Sequence, residues 1–166
     1  MEDGALQGRM PALSYLVEPP MKTDWVLVAN GSMARVLSRT APDAALVPVM
    51  TVPFPEGRLK AHEQDTDRPG QGHSDTSSAS IRFEPRTTRR RKLLQQFARE
   101  MSHRLDQGRN DRHFESLTIV ASSPFLGELR SALSPQVTKC VAGVYDVDLT
   151  ELSADKIENR LRDLAA

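Results

Sequence analysis

The chain has 166 residues, enough for one compact core with a tail and too few for two independent domains. Its 22 Lys and Arg balance 22 Asp and Glu, which excludes a global pull toward nucleic acid or anionic membrane and leaves any such attraction to a local patch. The longest early apolar run, Trp25 to Ala29, is far short of the ~20 residues of a membrane span, and the single cysteine, Cys140, excludes an internal disulfide.

Residues 1–21 are Pro-rich and weakly periodic, so the folded unit is expected from about Lys22 to Ala166, with the leading segment an extension or a misassigned translation start. Glu2 and Asp3 stand where a secretory leader would be basic, and a cytoplasmic location is expected. The apolar run WVLVA is followed by Asn30-Gly31 and then SMARVLSR, the pattern of a β-hairpin closed by a type I′ turn. A dinucleotide-binding fold would instead lead its first strand through a Gly-rich turn into a helix. A third strand is expected over Ala44 to Val52, at a sheet edge because Pro48 lacks an N–H. Glu56 to Arg86 holds five apolar residues in 31 and reads as a long functional or disordered loop, expected to be mobile when the protein is alone. Within it, Asp67-Arg68-Pro69-Gly70 has the composition of a type II turn.

Leu93, Leu94, Phe97, Ala98, Met101 and Leu105 recur at helical spacing, predicting a helix over Thr87 to Leu105 that stops near Gly108. LTIVA at Leu117 to Ala121 reads as a buried strand. A short helix should follow, with Ser123 as N-cap and Pro124 in its first position. Val137 to Val144 is expected as a last strand carrying Cys140 at its middle, and Ser153 is expected to cap a last helix reaching Leu164. Strands joined through helices should run parallel. The expected fold class is therefore α/β, a five-stranded mixed sheet in which an antiparallel meander of three strands is joined by two parallel strands, flanked by helices.

Chemistry-bearing patterns are sparse. His62, His73, His103 and His113 do not fall at metal-ligand spacing, and with one cysteine no zinc site is expected; no cofactor is expected either. Ser122 and Ser123 lack a nucleophile elbow, and Asp146 and Asp148, after the last strand, do not complete a nuclease-like acidic cluster with Asn30. No catalytic residue is assigned. The informative charge feature is Arg89, Arg90, Arg91 and Lys92 at the start of the long helix, where cations oppose the macrodipole and so are not placed for helix stability. They are the expected site for an anionic partner, RNA or an acidic protein, with Arg68 as a second contact; a merely solvated face is the competing reading.

DWVLVANGSMARVL, the DRPG turn (Asp67, Arg68, Pro69, Gly70), and IVASSPFLGELRSAL, which carries Leu126, Gly127, Leu129 and Arg130, precede a last strand, Asp-Leu-Thr and a helix. As a set these resemble the bacterial host attachment protein family, described as required for attachment to host cells, over about Lys22 to Leu164. That family is similar to the middle domain of archaeal and eukaryotic release factors and of Pelota-type rescue factors, which implies a ribonuclease H-like fold and RNA or the ribosome as partner. Its first strand commonly ends in Asp-Gly where this chain has Asn30-Gly31, which weakens a catalytic role there. The Gly-Gly-Gln loop of release factors is replaced by Gly70-Gln71-Gly72, so peptidyl-tRNA hydrolysis does not carry over. Two roles stay open: a binding module for RNA or the ribosome, and a protein-interaction factor acting indirectly in attachment. A hydrolase is third, and no membrane partner is expected.

Overall fold

The computed structural model describes residues 22–57 and 86–166. Five strands, β1 (Asp24–Ala29), β2 (Met33–Arg39), β3 (Val47–Pro53), β4 (Ser116–Ala121) and β5 (Val141–Tyr145), form one sheet in the order β3-β2-β1-β4-β5. β1 and β2 pair antiparallel, as do β2 and β3, whereas β4 lies parallel to β1 and β5 parallel to β4. The expected mixed sheet is thus observed. β3 is an edge strand, and its pairing shifts between Val36 and Leu37 of β2 so that Met50 and Pro48 are matched while Val49 is not.

Helices α1 (Arg86–Asn110), α2 (Phe125–Ala132) and α3 (Pro135–Cys140) cover one face, and α4 (Ala154–Ala165) covers the other. The two-residue period of β1 explains both layers: Trp25, Leu27 and Ala29 join the cluster under α1, while Val26 and Val28 join Ile157 and Leu161 of α4. On α1 the buried stripe is Leu94, Phe97, Ala98, Met101 and Leu105, and Leu93, which the spacing also includes, is half-buried at its edge. Arg35, on the α4 side of β2, donates to the backbone oxygens of Thr150 (3.0 Å) and Leu152 (2.5 Å) and ties the segment before α4 to the sheet.

Several local expectations are corrected. α1 runs through Gly108: a Cβ there would lie 2.6 Å from the Trp25 ring, so the glycine admits the tryptophan rather than ending the helix. The helix ends in a Schellman arrangement, in which Arg112 has φ 59 and the His113 amide donates to the Gly108 oxygen. Gly108→Ala should lose roughly 1 to 3 kcal/mol by overpacking Trp25, although Ala is the better helix former, and urea unfolding checks the sign. Where a strand was expected from Val137, Pro135 to Cys140 form α3, because the Ser134 hydroxyl accepts from the Val137 amide and Pro135 fills the first helical turn. Cys140 closes that helix instead of sitting mid-strand. At α2 it is Pro124, not Ser123, that occupies the N-cap, and no side chain caps the helix. Ser153 is at the N-cap of α4, but its hydroxyl makes no capping bond. The expected type I′ turn is also absent, since neither Asn30 nor Gly31 has positive φ. The DRPG turn and most of the long segment lie outside the described residues.

Candidate functional site

The direction of α1 decides what stands beside its cationic start. Gly108 packs on Trp25 at the beginning of β1, whereas Leu94 approaches Gly31 beyond its end, so α1 runs antiparallel to β1. Arg89, Arg90, Arg91 and Lys92 therefore stand at the edge of the sheet where β1, β4 and β5 finish. All four are exposed. Arg91 donates to Glu128 of α2 at 3.1 Å, so part of the patch is neutralised within the chain, although such an exposed pair adds little stability. Arg90 lies one turn before Leu94, on the stripe that faces the core further along. Beyond the sheet that stripe overhangs a cleft of about 290 Å³ bounded by Gly31, Ser122, Ser123, Leu94 and Phe125.

Next to the cleft a polar network joins the ends of three strands. The Asn30 side-chain oxygen accepts from the amides of Ser32 (2.9 Å) and Met33 (3.0 Å) and from the Ser32 hydroxyl (3.0 Å), which holds the β1–β2 turn without left-handed residues. Its amide nitrogen donates to Asp148 at 3.0 Å and to the Thr150 hydroxyl at 3.1 Å. Asp146 accepts from the Ser123 hydroxyl at 2.7 Å and from the Ser123 amide at 3.0 Å. This bond takes the Ser123 side chain that sequence reasoning assigned to a helix cap.

The Ser123 hydroxyl, then its amide, holds the Asp146 carboxyl below the ordinary value near 3.8. Burial opposes ionisation of Asp148, but hydrogen bonds from Thr150 and Asn30 outweigh it and its pKa is lowered too. Stability contributed by two such carboxylates is complete above their unfolded pKa and is lost as pH falls through the lower folded values.

Leu126 and Leu129 of the expected motif are buried under α1, while Gly127 and Arg130 are exposed and Gly127 has nothing within 4 Å of where a Cβ would stand. The two leucines dock α2, and none of the four positions borders the cleft, although their neighbour Phe125 does. Arg68 and the rest of the DRPG turn lie outside the described residues. Sequence reasoning missed the pairing of Ser123 with Asp146 and of Asn30 with Asp148, which join positions 23 and 118 residues apart. The available signal was Asp148-Leu149-Thr150 after a strand, where the carboxylate accepts from the Thr150 amide at 2.9 Å. Among the described residues no group of three or more His, Cys, Asp or Glu could hold a metal ion, and no helix is long and apolar enough to cross a membrane. A larger cavity, about 570 Å³, lies at the opposite edge beside Arg109, Arg112 and Glu115. Arg109 lies in the last turn of α1, where a cation complements the helix macrodipole.

Residues 25–161 match the family model described as "Protein required for attachment to host cells". The chain belongs to the host attachment family. No curated protein matches it. Solved structures similar to this host attachment chain include an archaeal protein, 12% identical, with a TM-score of 0.49 over 94% of this chain and 40% of the other. Another is the pCBH ParM non-polymerisable quadruple mutant, 11% identical, with a TM-score of 0.47 over 100% of this chain and 53% of the other. The chain thus spans about half or less of either protein's length. Neither is described as a release factor.

Proposed function

We propose that this host attachment protein is a non-catalytic binding module that engages RNA, as part of the ribosome, through the basic start of α1. The observation that carries the reading is the placement of Arg89, Arg90, Arg91 and Lys92, all exposed, at an edge of the sheet on a helix with no acidic residue in its first turn. With zero net charge the attraction must come from such a patch. Guanidinium groups suit it because they donate two parallel hydrogen bonds to phosphate. The similarity expected between the host attachment family and release-factor middle domains favours the same partner. A cytoplasmic location belongs to this reading.

The test is co-sedimentation with ribosomes, with binding at low salt and release at high salt. Changing all four residues to Gln should alter folding stability little, by less than about 0.5 kcal/mol per exposed position. Each lost phosphate contact should flatten the log-affinity against log-salt slope by about 0.7, so the quadruple variant should lose up to about 3 from the slope. An unchanged slope and affinity would leave the patch a solvated face. If a partner is recovered equally well after nuclease treatment, the protein-interaction role in attachment takes precedence.

A further inference from the structure

We propose that the cleft between the ends of β1 and β4 is a pocket for one phosphate monoester, the phosphate of a nucleotide or sugar phosphate. After β1 the chain turns toward β2 on one side, and after β4 it leaves through α2 toward β5 on the other. Adjacent parallel strands whose connections diverge leave a crevice beyond their carboxyl ends, and open α/β sheets hold ligands there.

Two polar groups converge on this crevice without a partner. Among the described residues, neither the Arg90 guanidinium nor the Ser122 hydroxyl is engaged by another group, and both border the cleft. An arginine and a hydroxyl, both able to donate, select an oxyanion. Arg89, the preceding residue, is exposed and adds positive charge to the same end of α1, which favours a phosphate dianion over a carboxylate. Glycines let the walls of the cleft approach closely: a Cβ on Gly57 would come 2.1 Å from the Gly31 oxygen, and one on Gly31 would meet Leu94 at 3.0 Å. Leu94 and Phe125 provide apolar surface for the organic part of the ligand, and about 290 Å³ is at the lower end of small-ligand pockets, sized for one nucleotide or sugar phosphate. Two carboxylates oppose an anion here: Asp146, held by the amide and hydroxyl of the lining residue Ser123, and Asp148, held by the amide nitrogen of the lining residue Asn30, and the ligand must tolerate both.

The pocket shares Arg90 with the proposed RNA surface, but Ser122 belongs to the pocket alone, so the two readings can fail separately. Amide NMR of the full chain titrated with adenosine 5′-monophosphate, ribose 5-phosphate and unphosphorylated adenosine tests it. Both phosphates should shift Gly31, Ser122 and Ser123 saturably, and adenosine should not. Arg90→Gln and Ser122→Ala should each weaken binding roughly tenfold, while Asp146→Asn, which removes charge but keeps an acceptor oxygen, should tighten it. Ser122→Ala should leave ribosome co-sedimentation unchanged. Displacement of the nucleotide by a 5′-phosphorylated oligonucleotide, but not by its 5′-hydroxyl form, would identify an RNA end as the natural source; displacement by neither would identify a free metabolite. No saturable shift below about 10 mM phosphate ligand, or equal affinity in the Arg90 and Ser122 variants, would overturn the proposal.

Discussion

Phe97→Ala should lose about 3 to 5 kcal/mol of folding stability, a large share of the roughly 5 to 15 kcal/mol available to a domain. Phe97 has no exposed surface and stacks between Phe54, with centroids 4.7 Å apart, and Phe125 at 5.1 Å. The three rings come from α1, the segment after β3, and the first residue of α2, so truncation leaves a cavity at the junction of three separate stretches of chain. Collapse cannot fill it without moving α1. Because Phe125 also borders the cleft, the variant should loosen the site as well. Guanidinium unfolding measures the loss, with Val49→Thr as the comparison: Val49 is exposed and unmatched in the β2–β3 pairing, and its change should stay within about 0.5 kcal/mol. A loss below about 1 kcal/mol at Phe97 would mean that the ring cluster does not hold the layers together.

Asn30→Asp should invert the response of stability to acid. In the native chain the Asn30 amide donates to Asp148 and Thr150. An aspartate there would set a second carboxylate about 3 Å from Asp148 and remove both donors. Unit charges at such a separation repel by roughly 1 to 5 kcal/mol across the dielectric range from water to a protein surface. Asp148 is exposed on one side, so the lower part of the range applies, and a loss of about 2 kcal/mol at neutral pH is expected. The sign of the pH dependence separates the two proteins. Native Asp148 has a lowered folded pKa, so its contribution disappears as pH falls below the ordinary value near 3.8. In the variant one carboxyl of the pair is raised above its unfolded value, so stability is regained as pH falls from 7 toward 4. Unfolding midpoints measured from pH 7 to 3 should therefore converge. Parallel curves for the two proteins would show that Asn30 and Asp148 are not in contact in solution.

Both experiments probe the boundary between what is local in this chain and what is not. The apolar runs on either side of Asn30-Gly31, the helical stripe from Leu94 to Leu105 between two strands and the position of Pro48 predicted the hairpin, the parallel strands joined through helices and the edge strand, because each signal is carried by a few adjacent residues. Leu126 and Leu129 likewise declared the buried side of α2. Misreadings arose where two elements compete for the same signal. Val137 to Cys140 has the composition of a strand, yet the Ser134 hydroxyl and Pro135 start a helix there, and Gly108 has the composition of a helix stop because nothing near it in sequence reveals that Trp25, more than 80 residues earlier, needs its missing side chain. The cationic run at Arg89 to Lys92 was legible as composition. Its place beside Ser122, Asn30 and Asp148 was not. That follows from α1 running antiparallel to β1 and from two parallel strands ending at one edge, a juxtaposition set by packing the apolar face of α1 over the sheet. Hydrogen bonds and charges act over a few ångströms, so which polar groups meet is fixed only once the core has decided which ends of the chain come together.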